Sequence, residues 1–235
     1  MLNFLCIGAQ KAGTTWLYSV LREHEKINFP AGKEVHYWNT KLYMGIEWYK
    51  NLFDVGDGKI NGEITPAYSI LSDNIVSTIR SHFPDLRLIY VIRNPIQRAW
   101  SSAKMALQRA EMTLDEASDQ WFIDHFHSRG SILRGDYEKC IRNWRTFFPE
   151  ESLLILRYEL ITTQPESFIK KCLLHLGVKS SISEKMGNRL KDIVFKSQTG
   201  NLRNTLYDEL IKIYRNKINS LSEYLNEDFS TWLER

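Results

Sequence analysis

The stretch from Phe4 to Leu17 constrains the fold more than any other. Phe4-Leu5-Cys6-Ile7-Gly8 is an apolar run too short for a helix and stopped by glycine, the pattern of a buried strand in a parallel sheet. Ala9-Gln10-Lys11-Ala12-Gly13 predicts a tight turn, and Thr14-Thr15-Trp16-Leu17 the first turn of a helix. Gly8 and Gly13 let the backbone turn sharply and leave room for a bulky anion against the main-chain amides. Thr14 is expected to cap the helix, whose free amides and dipole favour negative charge at that end. Lys11 adds a full positive charge at the mouth of the turn. Such a stretch is built to hold a phosphate.

The glycine spacing is that of the nucleoside triphosphatase loop G-x-x-x-x-G-K-[ST], but Thr14 stands where the lysine belongs and Lys11 lies earlier, in the arc of the loop. A loop of this kind still grips a 5′-phosphate, whereas the geometry that holds magnesium is not assured. Further strands are expected at Lys59–Thr65, Leu86–Ile92 and Ser152–Leu156. Helices are expected at Thr15–His24, Gly45–Phe53, Ser72–Phe83, Ile96–Arg109, Ile132–Phe148, Pro165–Gly177 and Leu206–Leu225. Thr113 with Asp115 and Glu116 predicts one more helix start, and the polar stretch from Val178 to Asn204 reads as a long ordered loop. Alternating strands and helices imply a three-layer α/β fold around a mainly parallel sheet, in one domain spanning residues 1–235.

Composition narrows the function classes. A net charge of +3, without any dense Lys/Arg block, argues against nucleic acid as a partner and confines basic character to a site. Cys6, Cys140 and Cys172 are far apart and form no C-x-x-C, which favours reduced thiols. No leader pattern precedes the loop and no stretch approaches the length of a membrane span, so a cytoplasmic location without stable membrane insertion is expected.

A second phosphate-seeking motif follows the Leu86–Ile92 strand. Arg93-Asn94-Pro95-Ile96-Gln97-Arg98-Ala99-Trp100-Ser101 puts an arginine at a strand tip and a serine eight residues later on the next helix. Ligands of open parallel sheets bind beyond the carboxyl ends of the strands. An arginine fork there can grip phosphate through two parallel bonds, with the hydroxyl as a further donor. The chain thus offers two phosphate-seeking motifs, each at the end of a strand.

Taken together, Gly8–Leu17 and Arg93–Ser101 resemble the 5′-phosphosulfate loop and the 3′-phosphate motif of sulfotransferases that use 3′-phosphoadenosine 5′-phosphosulfate (PAPS). The closest likeness in motif is to bacterial and heparan-sulfate-type members. The resemblance implies a P-loop nucleotide-hydrolase-like fold, PAPS as sulfate donor, 3′-phosphoadenosine 5′-phosphate (PAP) as product and no required metal. It implies nucleotide contacts from Lys11, Ala12, Gly13, Thr14 and Thr15, and from Trp16, which matches a tryptophan that stacks on adenine. Arg93 and Ser101 would read the 3′-phosphate. Tyr137, in Gly135-Asp136-Tyr137, matches a later nucleotide-lining element, and Lys196 and Arg203 fall where the family often has a basic loop over the nucleotide.

For the acceptor, Lys33-Glu34-Val35-His36-Tyr37-Trp38 resembles the segment that carries the catalytic glutamate. An attacking hydroxyl needs its proton drawn off, so Glu34, or His36 in its place, is the expected base, and Lys11 the group that steadies the leaving phosphate. Asn61 to Tyr68 resembles the family's Glu-Lys-Thr-Pro-Ala-Tyr segment, with Ile64 where heparan-type enzymes have lysine. The acceptor class implied is a small molecule or glycan. Two other readings remain open on the residues alone: a P-loop kinase using ATP and magnesium, and a catalytically inactive nucleotide-binding module.

Overall fold

The computed structural model describes residues 1–56, 58–192 and 200–234. The chain divides into two compact units that interleave along the sequence. The first comprises Met1–Ile92 and Asn143–Val194, the second Arg93–Arg142 and Phe195–Arg235.

The first unit contains the whole sheet. Its strands are β1 (Leu2–Gly8), β2 (Ile27–Asn28), β3 (Ile60–Ile64), β4 (Arg87–Ile92) and β5 (Leu153–Arg157). They pair in the order β2-β3-β1-β4-β5, and every pairing is parallel. The α/β expectation is met, with helices flanking an all-parallel sheet. β1 is central, and Phe4, Leu5, Cys6 and Ile7 are fully buried, as a strand covered on both faces must be. Burial also pushes the Cys6 thiol up to about 12. Cys6, Cys140 and Cys172 are all buried, and none of the three is in a disulfide.

Four local expectations are corrected. Thr14 does not cap the helix it was expected to start; the cap is Gly13, in the left-handed region, and Thr14 is the first helical residue of Thr14–Leu21. The stretch from Val178 to Asn204 is not all loop, because Ser183 accepts a bond from the Met186 amide at 3.3 Å and starts the Glu184–Leu190 helix. Buried Met186 and the Arg189–Glu23 ion pair (3.3 Å) fasten that helix within the first unit. The Thr113–Glu116 segment is a turn, in which the Glu116 carboxylate accepts from the Thr113 amide and hydroxyl at 2.7 and 2.9 Å. The helix itself starts later, at Asp119–His127, with Ser118 as its cap.

The fourth correction lies in the second unit. A single helix from Ile132 to Phe148 is replaced by two, Arg129–Gly135 and Tyr137–Phe147, broken at Asp136. A side chain at Gly135 would meet the Tyr214 ring at 2.4 Å, and Asp136 leaves helical geometry to pair with Lys217. This unit is built around the Pro95–Arg109 and Asn204–Leu225 helices. Asn94 caps the former by accepting from the Ile96 amide at 2.9 Å, and its own amide donates to the Trp232 carbonyl at 2.9 Å. Arg98 is fully buried and donates to the Ser131 carbonyl and hydroxyl and to the Tyr214 hydroxyl, at 3.0, 3.2 and 3.3 Å. Among the described residues, no helix is long and apolar enough to cross a membrane.

Candidate active site

The loop after β1 has the form expected of an anion cradle. Gly8 has φ +151° and Gly13 φ +80°. A Cβ at Gly8 would meet the Pro66 carbonyl at 3.1 Å, and one at Gly13 the Ile161 side chain at 2.6 Å. Glycine is therefore favoured by backbone angle at both positions, and the neighbours leave little room for a Cβ. Lys11 also lies in the left-handed region, at φ 70°. The loop is tied to the sheet by the Ala9 amide donating to the Val91 carbonyl at 2.7 Å. The helix that follows has no side-chain cap, so its first amides are offered to an incoming acceptor. Ala12 and Thr14 are buried, while Lys11, Gly13 and Thr15 are partly accessible. Trp16 is buried and packs edge-on against Phe168 at 5.7 Å.

Also in the first unit, the Glu34 amide donates to the Ile64 carbonyl at 3.0 Å, which docks the Lys33–Trp38 segment on the end of β3. Glu34 and His36 have φ of 63° and 61°. Two non-glycine residues held there are strained, and such strain gathers at functional positions. The exposed Glu34 carboxylate accepts from the Lys33 ammonium and lies 3.4 Å from His36 Nε2. His36 Nδ1 meets Asn39 Oδ1 at 3.1 Å, so the ring is held from both nitrogens. Partial burial alone would raise the Glu34 pKa. Lys33, and then His36, outweigh it and keep the carboxyl below its ordinary value. Glu34 is thus held in its ionised form.

Beneath this segment lies a second carboxyl that motif reasoning did not assign. Glu63 is fully buried and accepts from the Thr65 hydroxyl at 2.6 Å and from the Tyr49 hydroxyl. Burial raises its pKa despite those bonds. The Tyr68 hydroxyl accepts from the Trp38 amide at 3.4 Å, and the Tyr49 ring stacks on Tyr37 at 4.5 Å.

The second unit has its own cavity, of about 380 Å³, lined by Arg93 just before the Pro95–Arg109 helix, by Gln97, Ser101 and Lys104 along it, and by Tyr207 and Glu234 from the C-terminal region. Arg93 and Ser101 are thus brought together as expected. Arg93 reaches Gln97 Oε1 at 3.5 Å, and its carbonyl accepts from the Tyr137 hydroxyl at 2.6 Å. The helix break at Asp136 is what sets Tyr137 there. Arg203 pairs with Asp119, donates to the Leu114 and Ala117 carbonyls at 2.9 and 3.2 Å and lies over the Phe122 ring. Lys196 falls outside the described residues. Lys104 was not anticipated, although its spacing from Ser101 on a helix was a usable signal.

Comparison with known proteins fits this geometry. A family model described as sulfotransferase domain matches residues 3–217. Heparan sulfate glucosamine 3-O-sulfotransferase 6 of Mus musculus is 28% identical over 185 residues, covering 77% of this chain and 54% of that protein. Membrane-associated sulfotransferase kil1 of Dictyostelium discoideum is 30% identical over 144 residues, 60% of this chain and 30% of that protein. The chain thus spans about half, or less, of the length of these curated relatives. A sulfotransferase structure from Alicyclobacillus acidocaldarius matches with a TM-score of 0.77 at 23% identity, covering 99% of this chain and 98% of the other. A mouse sulfotransferase crystallised with PAP matches at 0.60 with 15% identity, covering 95% and 89%. These structures share the fold.

Proposed function

Because the chain belongs to the sulfotransferase domain family, we propose that it moves the sulfuryl group of PAPS to a hydroxyl or amine of a small-molecule or glycan acceptor. The observation that carries this reading is the cradle after β1: a glycine-capped helix start with no side-chain cap, and Lys11 held in the arc of the loop. That is a fit for the 5′-phosphate end of the donor. The cavity holding Arg93 and Ser101 fits the chemistry of a 3′-phosphate.

In the reaction an acceptor oxygen or nitrogen bonds to sulfur as the bond from sulfur to the 5′-phosphate oxygen breaks. Glu34 takes the proton leaving the acceptor, and His36 holds and orients the carboxylate. Lys11 and the first helix amides stabilise the charge that grows on the departing phosphate, the kind of preorganised contact that dominates transfer reactions of this type. Ala12, Thr14 and Thr15 carry the amides of that cradle, and Tyr137 steadies the Arg93 main chain through its 2.6 Å bond.

Titration calorimetry with PAP against ATP–magnesium, followed by a mass-spectrometric screen of acceptors for the gain of one sulfate, tests the proposal. PAP should bind tightly without metal, and turnover should vanish in Lys11→Ala. Binding of ATP–magnesium in preference to PAP would overturn the proposal in favour of a kinase. PAP binding with no transfer to any acceptor would overturn it in favour of an inactive binder.

A further inference from the structure

The cavity of the second unit holds more positive charge than Arg93 alone supplies. Counted from Arg93, just before the Asn94 cap, Gln97, Ser101 and Lys104 recur at the four, four and three residue steps that stack side chains on one helix face. All four line the same space of about 380 Å³. Lys104 is only 8% exposed, and its ammonium lies 5.6 Å from the centre of the Trp100 ring. Burial, and after it the nearby Arg93, hold its pKa below the ordinary lysine value. Lys104 and Arg93 carry like charges and line one cavity, so an anion entering it is attracted by both. Glu234 is the carboxylate that lines the same cavity, and its charge opposes an incoming phosphate.

Resting on the donor reading above, we propose that Lys104 is a third ligand of the 3′-phosphate, beside Arg93 and Ser101. In that role it sets how strongly the protein prefers a 3′-phosphorylated nucleotide to one with a free 3′-hydroxyl. The arginine fork suits two phosphate oxygens and the serine hydroxyl donates a further bond. The lysine adds a point charge that answers the second negative charge of a phosphate monoester.

The test is calorimetric titration of the full chain with PAP and with adenosine 5′-phosphate, in the wild type, Lys104→Met and Lys104→Arg. Lys104→Met should weaken PAP by about tenfold or more, the loss expected for a charge-assisted bond, and leave adenosine 5′-phosphate within about twofold. Lys104→Arg should recover most of the PAP affinity. At alkaline pH, PAP binding should take up protons in the wild type and fewer in Lys104→Met, a difference that a merely structural lysine would not produce. An unchanged PAP to adenosine 5′-phosphate ratio in Lys104→Met overturns the role of Lys104 while the donor reading stands. A wild type with no preference for PAP overturns the donor reading itself, and this proposal with it.

Discussion

Glu34 and Glu63 lie at two levels of one region of the first unit, and their surroundings treat them in opposite ways. Glu34 is exposed, strained in its backbone, and held ionised by Lys33 and His36 against the effect of its own partial burial. Glu63 has no exposed surface, is held by hydroxyl groups, and is pushed by burial toward its neutral form. Where two carboxyls are driven apart like this, the environment assigns their work. The lowered one stays ionised, which a proton acceptor must be, and the raised one is fit to pin a structure. Both sit where the Lys33–Trp38 segment docks, through the Glu34 amide on the Ile64 carbonyl at the end of β3 and the Trp38 amide on the Tyr68 hydroxyl just beyond it.

The largest test of this contrast is Glu34→Gln. It keeps shape and removes basicity, so turnover should fall by roughly a hundredfold to ten-thousandfold, the range of general-base contributions, with PAP affinity within about twofold of wild type. Single-turnover rates alongside calorimetry would check it. Full activity in Glu34→Gln would move the base to His36 and break the contrast at its functional end.

A smaller and sharper test is Lys33→Met. The Lys33 ammonium is the main influence opposing burial at Glu34. Without it the carboxyl pKa rises, and the acid limb of the turnover profile should move to higher pH. Activity at neutral pH should change by about tenfold or less, since the carboxylate still forms there. An acid limb that stayed put would mean that Lys33 does not set the charge of Glu34.

Much of this region escapes a reading of the chain, for identifiable reasons. β1, β4 and β5 are apolar runs bounded by glycine, an Asn-Pro pair or a turn, so their burial writes itself into composition. The loop after β1 is legible because its two glycines hold positive φ at fixed spacing, close to Pro66 and Ile161. Thr14 misled because threonine is a good cap by side chain, yet the cap position holds a left-handed backbone, φ 80°, that favours glycine. The break at Asp136 depends on Tyr214 and Lys217, far along the chain, so no local pattern marks it. Glu34 and His36 carry no periodic signal and were found by family resemblance. Glu63 was quoted in a motif but not assigned, because its partner Tyr49 lies 14 residues away and a buried acid looks like any other in sequence.

The smallest expected effect belongs to that buried acid. Glu63→Gln keeps the volume and hydrogen-bonding capacity of a neutral carboxyl, so at acidic pH the two proteins should differ in stability by about 1 kcal/mol or less. The sign of the pH dependence is then set by the raised pKa. Below the ordinary glutamate value both folded and unfolded chains hold the proton, and the wild type is at its best relative to the variant. As pH rises, the unfolded chain releases the proton first while burial makes the folded one keep it, so the wild type loses stability until the folded carboxyl ionises in turn. The amide variant titrates nowhere at this position. Chemical denaturation from about pH 4 to pH 8 should therefore show the gap closing or reversing in favour of Glu63→Gln as pH rises. A gap that widened in favour of the wild type would mean that Glu63 is ionised in the folded protein, and the two carboxyls would no longer be opposites.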